Sequence, residues 1–140
     1  MNLGSIEDRL AIRELVESFA HEAMRTNPDT WGATWADSEQ CSWKLVSFPE
    51  PVIGKTAIVE KFAQVMAYVD FLSMISVPAD MVIDGDHATG KAYCREWVAA
   101  RNGAHKHLVG CYHDQYIKQN NVWRFLTRRY EILGQSQPDS

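Results

Sequence analysis

The sequence is short of several things at once, and each shortage removes a class of protein. No apolar run approaches the length of a membrane span, and Met1-Asn2-Leu3-Gly4-Ser5 has neither the basic nor the apolar region of a leader peptide; a cytoplasmic protein that does not enter the membrane is expected. Positive charge is scarce, with 14 Lys and Arg against 18 Asp and Glu for a net charge of -4. A nucleic-acid binder needs a basic patch to displace counterions, and Arg128-Arg129 is too little to make one. There are three cysteines, Cys41, Cys94 and Cys111, odd in number, widely spaced and set among apolar neighbours, a pattern of buried free thiols rather than a disulfide framework. No Gly-x-Ser-x-Gly elbow supports a serine hydrolase. Gly54-Lys55-Thr56 lacks the upstream glycine of a phosphate-binding loop and reads as a strand-to-helix turn. Internal repeats and low-complexity segments are also missing.

What remains is one domain. The 140 residues are 46% hydrophobic and 23% charged, ordinary values for a globular chain able to bury a core and keep a pocket. Ser5 and Asp8 imitate a capping box, after which Leu10, Ile12, Leu15, Val16, Phe19, Ala20 and Ala23 recur at helical spacing to about Arg25. Asn27-Pro28-Asp29 breaks that helix, and Asp29 is expected to cap a short second one carrying Trp31, Thr34 and Trp35. Cys41 to Phe48 reads as a strand stopped by Pro49-Glu50-Pro51. A third helix after Gly54 aligns Ile58, Val59, Phe62, Val65, Met66 and Val69. Four long strands follow: Phe71 to Ile83, Ala88 to Ala100, His105 to Lys118, and one from Val122. Asp84-Gly85-Asp86, Asn102-Gly103 and Gln119-Asn120-Asn121 supply the turns between them. Residues Gly134 to Ser140 read as a loose polar tail. Helices followed by a run of antiparallel strands make an α+β fold.

The last hairpin is the most specific stretch. Gly110, Tyr112, Asp114, Tyr116, Trp123, Arg124, Phe125 and Arg128 resemble the closing hairpin of SnoaL-like proteins in the nuclear transport factor 2-like superfamily. Trp35-Ala36-Asp37, Ile53-Gly54-Lys55-Thr56-Ala57-Ile58 and Asp84-Gly85-Asp86-His87-Ala88 extend the resemblance over about Ile6 to Ile132. The resemblance implies a strongly curved, mostly antiparallel sheet wrapped around the helices, a cystatin-like cone of order α-α-β-α-β-β-β-β with an apolar pocket inside. Its nearest enzymatic branch, that of scytalone dehydratase, uses an Asp to orient a proton-abstracting His. The resemblance places that Asp at Met24 and that His at Met74, or at Ser73 one register away, so the dyad is not carried over.

An apolar, sulfur-rich and aromatic lining is expected instead, including Met24, Trp35, Trp43, Phe62, Met66, Met74 and Cys94. On the strand from Ala88, one face carries Ala88, Gly90, Ala92, Cys94 and Val98, with Glu96 the only charge among them. Burial there would make Glu96 a usable acid or base, with Tyr112 as its hydrogen-bonding companion. His105-x-His107, with His113 beyond, has metal-compatible spacing, but no acidic or thiol cluster accompanies it, so no metal and no cofactor are expected. The expected function is binding of a small apolar or aromatic molecule, with cofactor-independent lyase (dehydratase), isomerase or cyclase chemistry. The alternatives are a non-catalytic ligand-binding or assembly module and a structural subunit resembling the ring-hydroxylating dioxygenase β chain. Tyr93, Arg95 and Trp97 on the opposite face point to a homo-oligomer, a dimer or alternatively a trimer.

Overall fold

A computed structural model describes residues 4–136. Helix α1 (Ile6–Met24) starts at Ser5, whose extended backbone lets Oγ accept the Asp8 N–H at 3.0 Å. Its buried stripe is Ile12, Leu15, Val16, Phe19, Ala20 and Ala23. Leu10, assigned to that stripe from the sequence, is exposed instead, because it lies roughly 150° from the stripe's centre on a 3.6-residue wheel. Helix α2 (Pro28–Gly32) is capped by Asn27 rather than Asp29: Asn27 Oδ1 accepts from the Asp29 and Thr30 N–H groups, and Pro28 takes the first helical position, where no N–H is needed. Thr34 and Trp35 lie beyond its end, and Trp35 makes a parallel bridge to Phe125.

The expected strand from Cys41 to Phe48 is shorter. Strand β1 (Ser42–Lys44) ends where the Lys44 ammonium donates to the carbonyls of Leu45 and Phe48, gathering the chain into a turn ahead of the proline pair. A two-residue β2 (Val52–Ile53) precedes α3 (Lys55–Met66), whose N-cap Gly54 has φ +89°, an angle that favours glycine. Strands β3 (Val69–Asp84), β4 (His87–Ala100), β5 (His105–Gln119) and β6 (Val122–Gln135) complete the element order. Gln119 pairs with Val122 across a two-residue loop whose Asn120 and Asn121 both have positive φ, the geometry that suits a tight hairpin.

The six strands form one sheet in the order β2-β1-β6-β5-β4-β3, antiparallel except between β1 and β6. Register shifts in β3–β4 and β5–β6 mark bulges, which bend the strands so that the sheet wraps the helices as a cone. The architecture is α+β, as the element order predicts. Trp31, Trp35, Phe62, Phe125, Phe19 and Tyr116 pack between the layers. The three cysteines are free and buried. Gly134 and Gln135 belong to β6, and the Ser136 N–H donates to the His107 carbonyl, so the chain stays paired past the point where a loose tail was expected. The remainder of that tail, 137–140, lies outside the described residues. Among the described residues no helix is long and apolar enough to cross a membrane.

Candidate functional site

A cavity of about 430 Å³ lies between α1, α2, α3 and the inner face of the sheet. Trp43, Phe62, Met66, Met74, Glu96 and Tyr112 line it, joined by Phe19, Ala23, Trp31, Leu72, Val98, Lys106, Leu108 and Tyr130. Three residues expected in the lining are elsewhere. Met24 is 38% exposed at the end of α1, where Phe19 and Ala23 form the wall instead. Trp35 is wholly buried against Phe19 and Phe125. Cys94 is buried with its Sγ 3.2 Å from Ser76 Oγ, and it pairs with Gly110, over which the Tyr130 ring lies.

The alternation of β4 turns Glu96 inward, flanked in the ladders by Met74 on β3 and Leu108 on β5. Tyr130 comes from β6, two strands away, and its hydroxyl donates to Glu96 Oε2 at 2.5 Å. To reach that far, its side chain crosses β5 at Gly110, where an added Cβ would overlap the ring tip. Burial raises the Glu96 pKa above the usual carboxylate value; the Tyr130 hydrogen bond and the charges of Arg128 and Lys106 oppose the rise. Glu96 Oε1 makes no hydrogen bond among the described residues.

Tyr112 is not the companion of Glu96 that the sequence suggested. Its hydroxyl accepts from Trp43 Nε1 at 3.2 Å, while its ring packs on Tyr130 with centroids 4.7 Å apart. Sequence reasoning missed Tyr130 because the hairpin pattern carries no residue beyond Arg128. Alternation from Arg128 would have turned Tyr130 and Ile132 to the same side as the pocket wall.

Beneath this wall lies a buried ion pair. Arg128 donates through Nε to Asp114 Oδ1 at 2.7 Å and through Nη2 to Oδ2 at 3.0 Å, and Tyr116 Oη donates to Oδ2 at 2.9 Å. The guanidinium sits 4.3, 3.8 and 4.1 Å from the ring centroids of Phe19, Tyr112 and Phe125. Burial alone would pull the Arg128 pKa down, but Asp114 more than restores it, so the side chain remains a cation.

The Gly110 crossing gives a direct expectation. Gly110→Ala should push aside the end of the Tyr130 side chain rather than the backbone, which removes the hydrogen bond that holds the Glu96 pKa down. Carboxyl-carbon NMR titration of Glu96 should show a higher midpoint in both Gly110→Ala and Tyr130→Phe. An unchanged midpoint in the two variants would disprove the coupling.

The histidines stand apart from the cavity. His105 and His107 stack on Trp97 on the outer face, with Trp97 Nε1 donating to His105 Nδ1 at 3.1 Å, and His113 pairs with Glu131. Among the described residues no group of three or more His, Cys, Asp or Glu side chains is placed to hold a metal ion.

Residues 4–129 match the SnoaL-like domain family, and the chain belongs to that family. Solved structures agree in fold. A candidate aromatic ring hydroxylase from Novosphingobium aromaticivorans superposes with a TM-score of 0.84 at 22% identity, covering 95% of this chain and 94% of the other. A candidate scytalone dehydratase from the same species gives 0.80 at 15% identity, with coverages of 94% and 87%. A type 2 hexachlorocyclohexane dehydrochlorinase gives 0.84 at 12% identity, with coverages of 96% and 90%. These likenesses show a shared fold. No curated protein matches the sequence.

Proposed function

We propose that the cavity binds a small apolar or aromatic molecule and that Glu96 moves a proton to or from it, in a lyase (dehydratase) or isomerase reaction without a cofactor. The observation that carries this reading is a carboxylate with a raised pKa in an aromatic cavity, with one oxygen held by Tyr130 and the other without a partner among the described residues. A carboxylate fixed at one oxygen presents the other in a defined direction, and a pKa brought closer to neutrality suits proton transfer at working pH. Phe62 and Trp31, stacked with centroids 4.0 Å apart, offer flat apolar surface, while Met66 and Met74 adapt to shape. The structures named for dehydratase and dehydrochlorinase activity support an elimination.

Two measurements test the proposal without knowing the substrate. Aromatic ketones, phenols and terpenoids that enter the cavity should raise the melting temperature, because a ligand selecting the folded state stabilises it. In heavy water, a ligand whose C–H proton Glu96 removes should gain deuterium, seen by mass spectrometry, and should not gain it with Glu96→Gln. Binding without exchange for every ligand found would favour the non-catalytic binding module.

The same curvature leaves the outer face of the sheet uncovered, and we propose that it meets a second copy of the chain. Phe71, Ile75, Val77, Tyr93, Trp97 and Val109 are exposed there, with Arg95, Lys91 and Arg129 interspersed with Glu131 and Asp80, so the face carries both signs of charge. A self-matching surface of this kind suits a two-fold dimer. Light scattering should report two chains per particle, and Trp97→Glu should halve the mass; a wild-type particle of one chain refutes the interface.

A further inference from the structure

The outer face of the sheet carries its basic groups in a regular order. Alternation turns Trp43, Ala92, Tyr112 and Arg128 inward, so their neighbours Lys44, Lys91, His113 and Arg129 point outward. The ladders place these in one row across adjacent strands: Lys91 opposite His113, His113 opposite Arg129, and Arg129 opposite Lys44. Like charges set opposite one another are destabilising, and a chain with a net charge of -4 has acidic residues enough to avoid the arrangement. Two residues along the strands, roughly 7 Å away, a second row holds neutral hydrogen-bonding groups: Thr89 opposite Gln115, Gln115 opposite Thr127, and Thr127 opposite Ser42.

A groove of about 770 Å³ lies over the two rows. Thr89, Lys91, His113, Gln115, Thr127 and Arg129 line it, and the bulge of β3 at Asp80 forms its wall. The basic groups in it are loosely held. Lys91 Nζ is 3.4 Å from the exposed Asp80 carboxylate, His113 Nε2 is 3.2 Å from Glu131 Oε1, and Arg129 makes no ion pair among the described residues. Exposed pairs of this kind contribute little, so a stronger anion displaces them. Thr127 Oγ1 donates to Gln115 Oε1, which leaves the Gln115 amide N–H groups without an acceptor among the described residues.

We infer that this groove is a second binding site, on the opposite side of the sheet from the inner cavity, and that it takes a phosphorylated sugar or polyol. The phosphate sits over His113 between Lys91 and Arg129, where its two negative charges cancel the repulsion along the row and the guanidinium fork meets two of its oxygens. The spacing of the rows sets the hydroxyls of the same molecule over Gln115 and the threonines. The site is built within one chain: Lys91 lies six residues along β4 from Trp97, roughly 20 Å from the centre of the patch assigned to a second copy.

The test is an NMR titration of the isotope-labelled protein at constant ionic strength, with glucose 6-phosphate, inorganic phosphate and glucose as probes. Both phosphates should shift the backbone amides of Gly90 and Asp114 and the Arg129 side-chain signal, glucose 6-phosphate should bind roughly tenfold tighter than inorganic phosphate, and glucose should shift nothing. Arg129→Met should weaken both phosphates about tenfold, whereas Gln115→Leu should weaken glucose 6-phosphate alone. Asp80→Asn removes the carboxylate that competes for Lys91 and should tighten both phosphates, a gain that no folding defect imitates; asparagine accepts the left-handed backbone of Asp80, φ +53°. Trp97→Glu should bind as well as the wild type. Shifts absent from the groove, or an Asp80→Asn affinity equal to that of the wild type, overturn the site. Glucose 6-phosphate binding no tighter than inorganic phosphate overturns the assignment of the sugar, and loss of binding in Trp97→Glu overturns a site built within one chain.

Discussion

Asp114→Ala should cost this protein more stability than any other single polar substitution in the closing hairpin, about 3–5 kcal/mol, the usual consequence of orphaning a buried charge. Arg128 is 1% exposed, its Nε and Nη2 both donate to Asp114, and Nη1 already lacks a partner among the described residues. Without the carboxylate, a cation remains among Phe19, Tyr112 and Phe125, whose ring faces supply only part of the lost interaction. For a chain of this size the melting temperature should fall by on the order of 10 °C or more. Asp114→Leu/Arg128→Met should recover most of that loss, because apolar groups of similar volume need no compensating charge. Thermal melts of the two single variants and the double give the coupling directly; additive losses would mean that the pair is held by packing and not by charge.

That ion pair shows where sequence reading reaches and where it stops. Asp114 and Arg128 both belong to the hairpin pattern that marked the family, yet nothing in their spacing says that they meet. The bulge between Gln115 and Tyr116 sets the register that pairs them, and a register shift leaves no clear signature in composition. The long strands were legible because β-branched and aromatic runs between Asp-Gly, Asn-Gly and Asn-Asn turns have few other solutions. The strand from Cys41 was overread because Leu45, Val46 and Phe48 are apolar, although the backbone turns there. Glu96 stood out as one charge on a small-residue face, a period-two signal. Tyr130 did not, because its partnership depends on a glycine two strands from β3, and a glycine in a strand reads equally as a bulge, a bend or a crossing point. Met24 and Trp35 were misplaced for a shared reason: helical phase near a terminus and the path of a loop are fixed by packing, not by local sequence.

Glu96→Gln should remove turnover and at the same time make the protein more stable at alkaline pH, two effects of one perturbed group. The amide keeps the shape and still accepts from Tyr130, but it cannot take a proton, so any rate that depends on Glu96 should fall roughly 100- to 10,000-fold with ligand affinity nearly unchanged. A base acts only when ionised, so a rate in which Glu96 removes the ligand's proton should rise with pH in the wild type through the folded-state pKa of Glu96, which burial places above the ordinary value of 4.5. The stability effect has the opposite slope. In the unfolded chain Glu96 ionises near 4.5, whereas in the folded protein burial delays ionisation, so the folded state is favoured below 4.5 and that advantage is lost as pH rises through the folded pKa. Glutamine has no proton to lose. The difference in melting temperature between Glu96→Gln and wild type should therefore move in favour of the variant from about pH 4.5 upward, then level off once the wild-type carboxylate is fully ionised. A difference that stays flat across that range would show that Glu96 ionises as freely in the folded protein as in the unfolded chain, and a residue so solvated has no claim to the proton transfer assigned to it here.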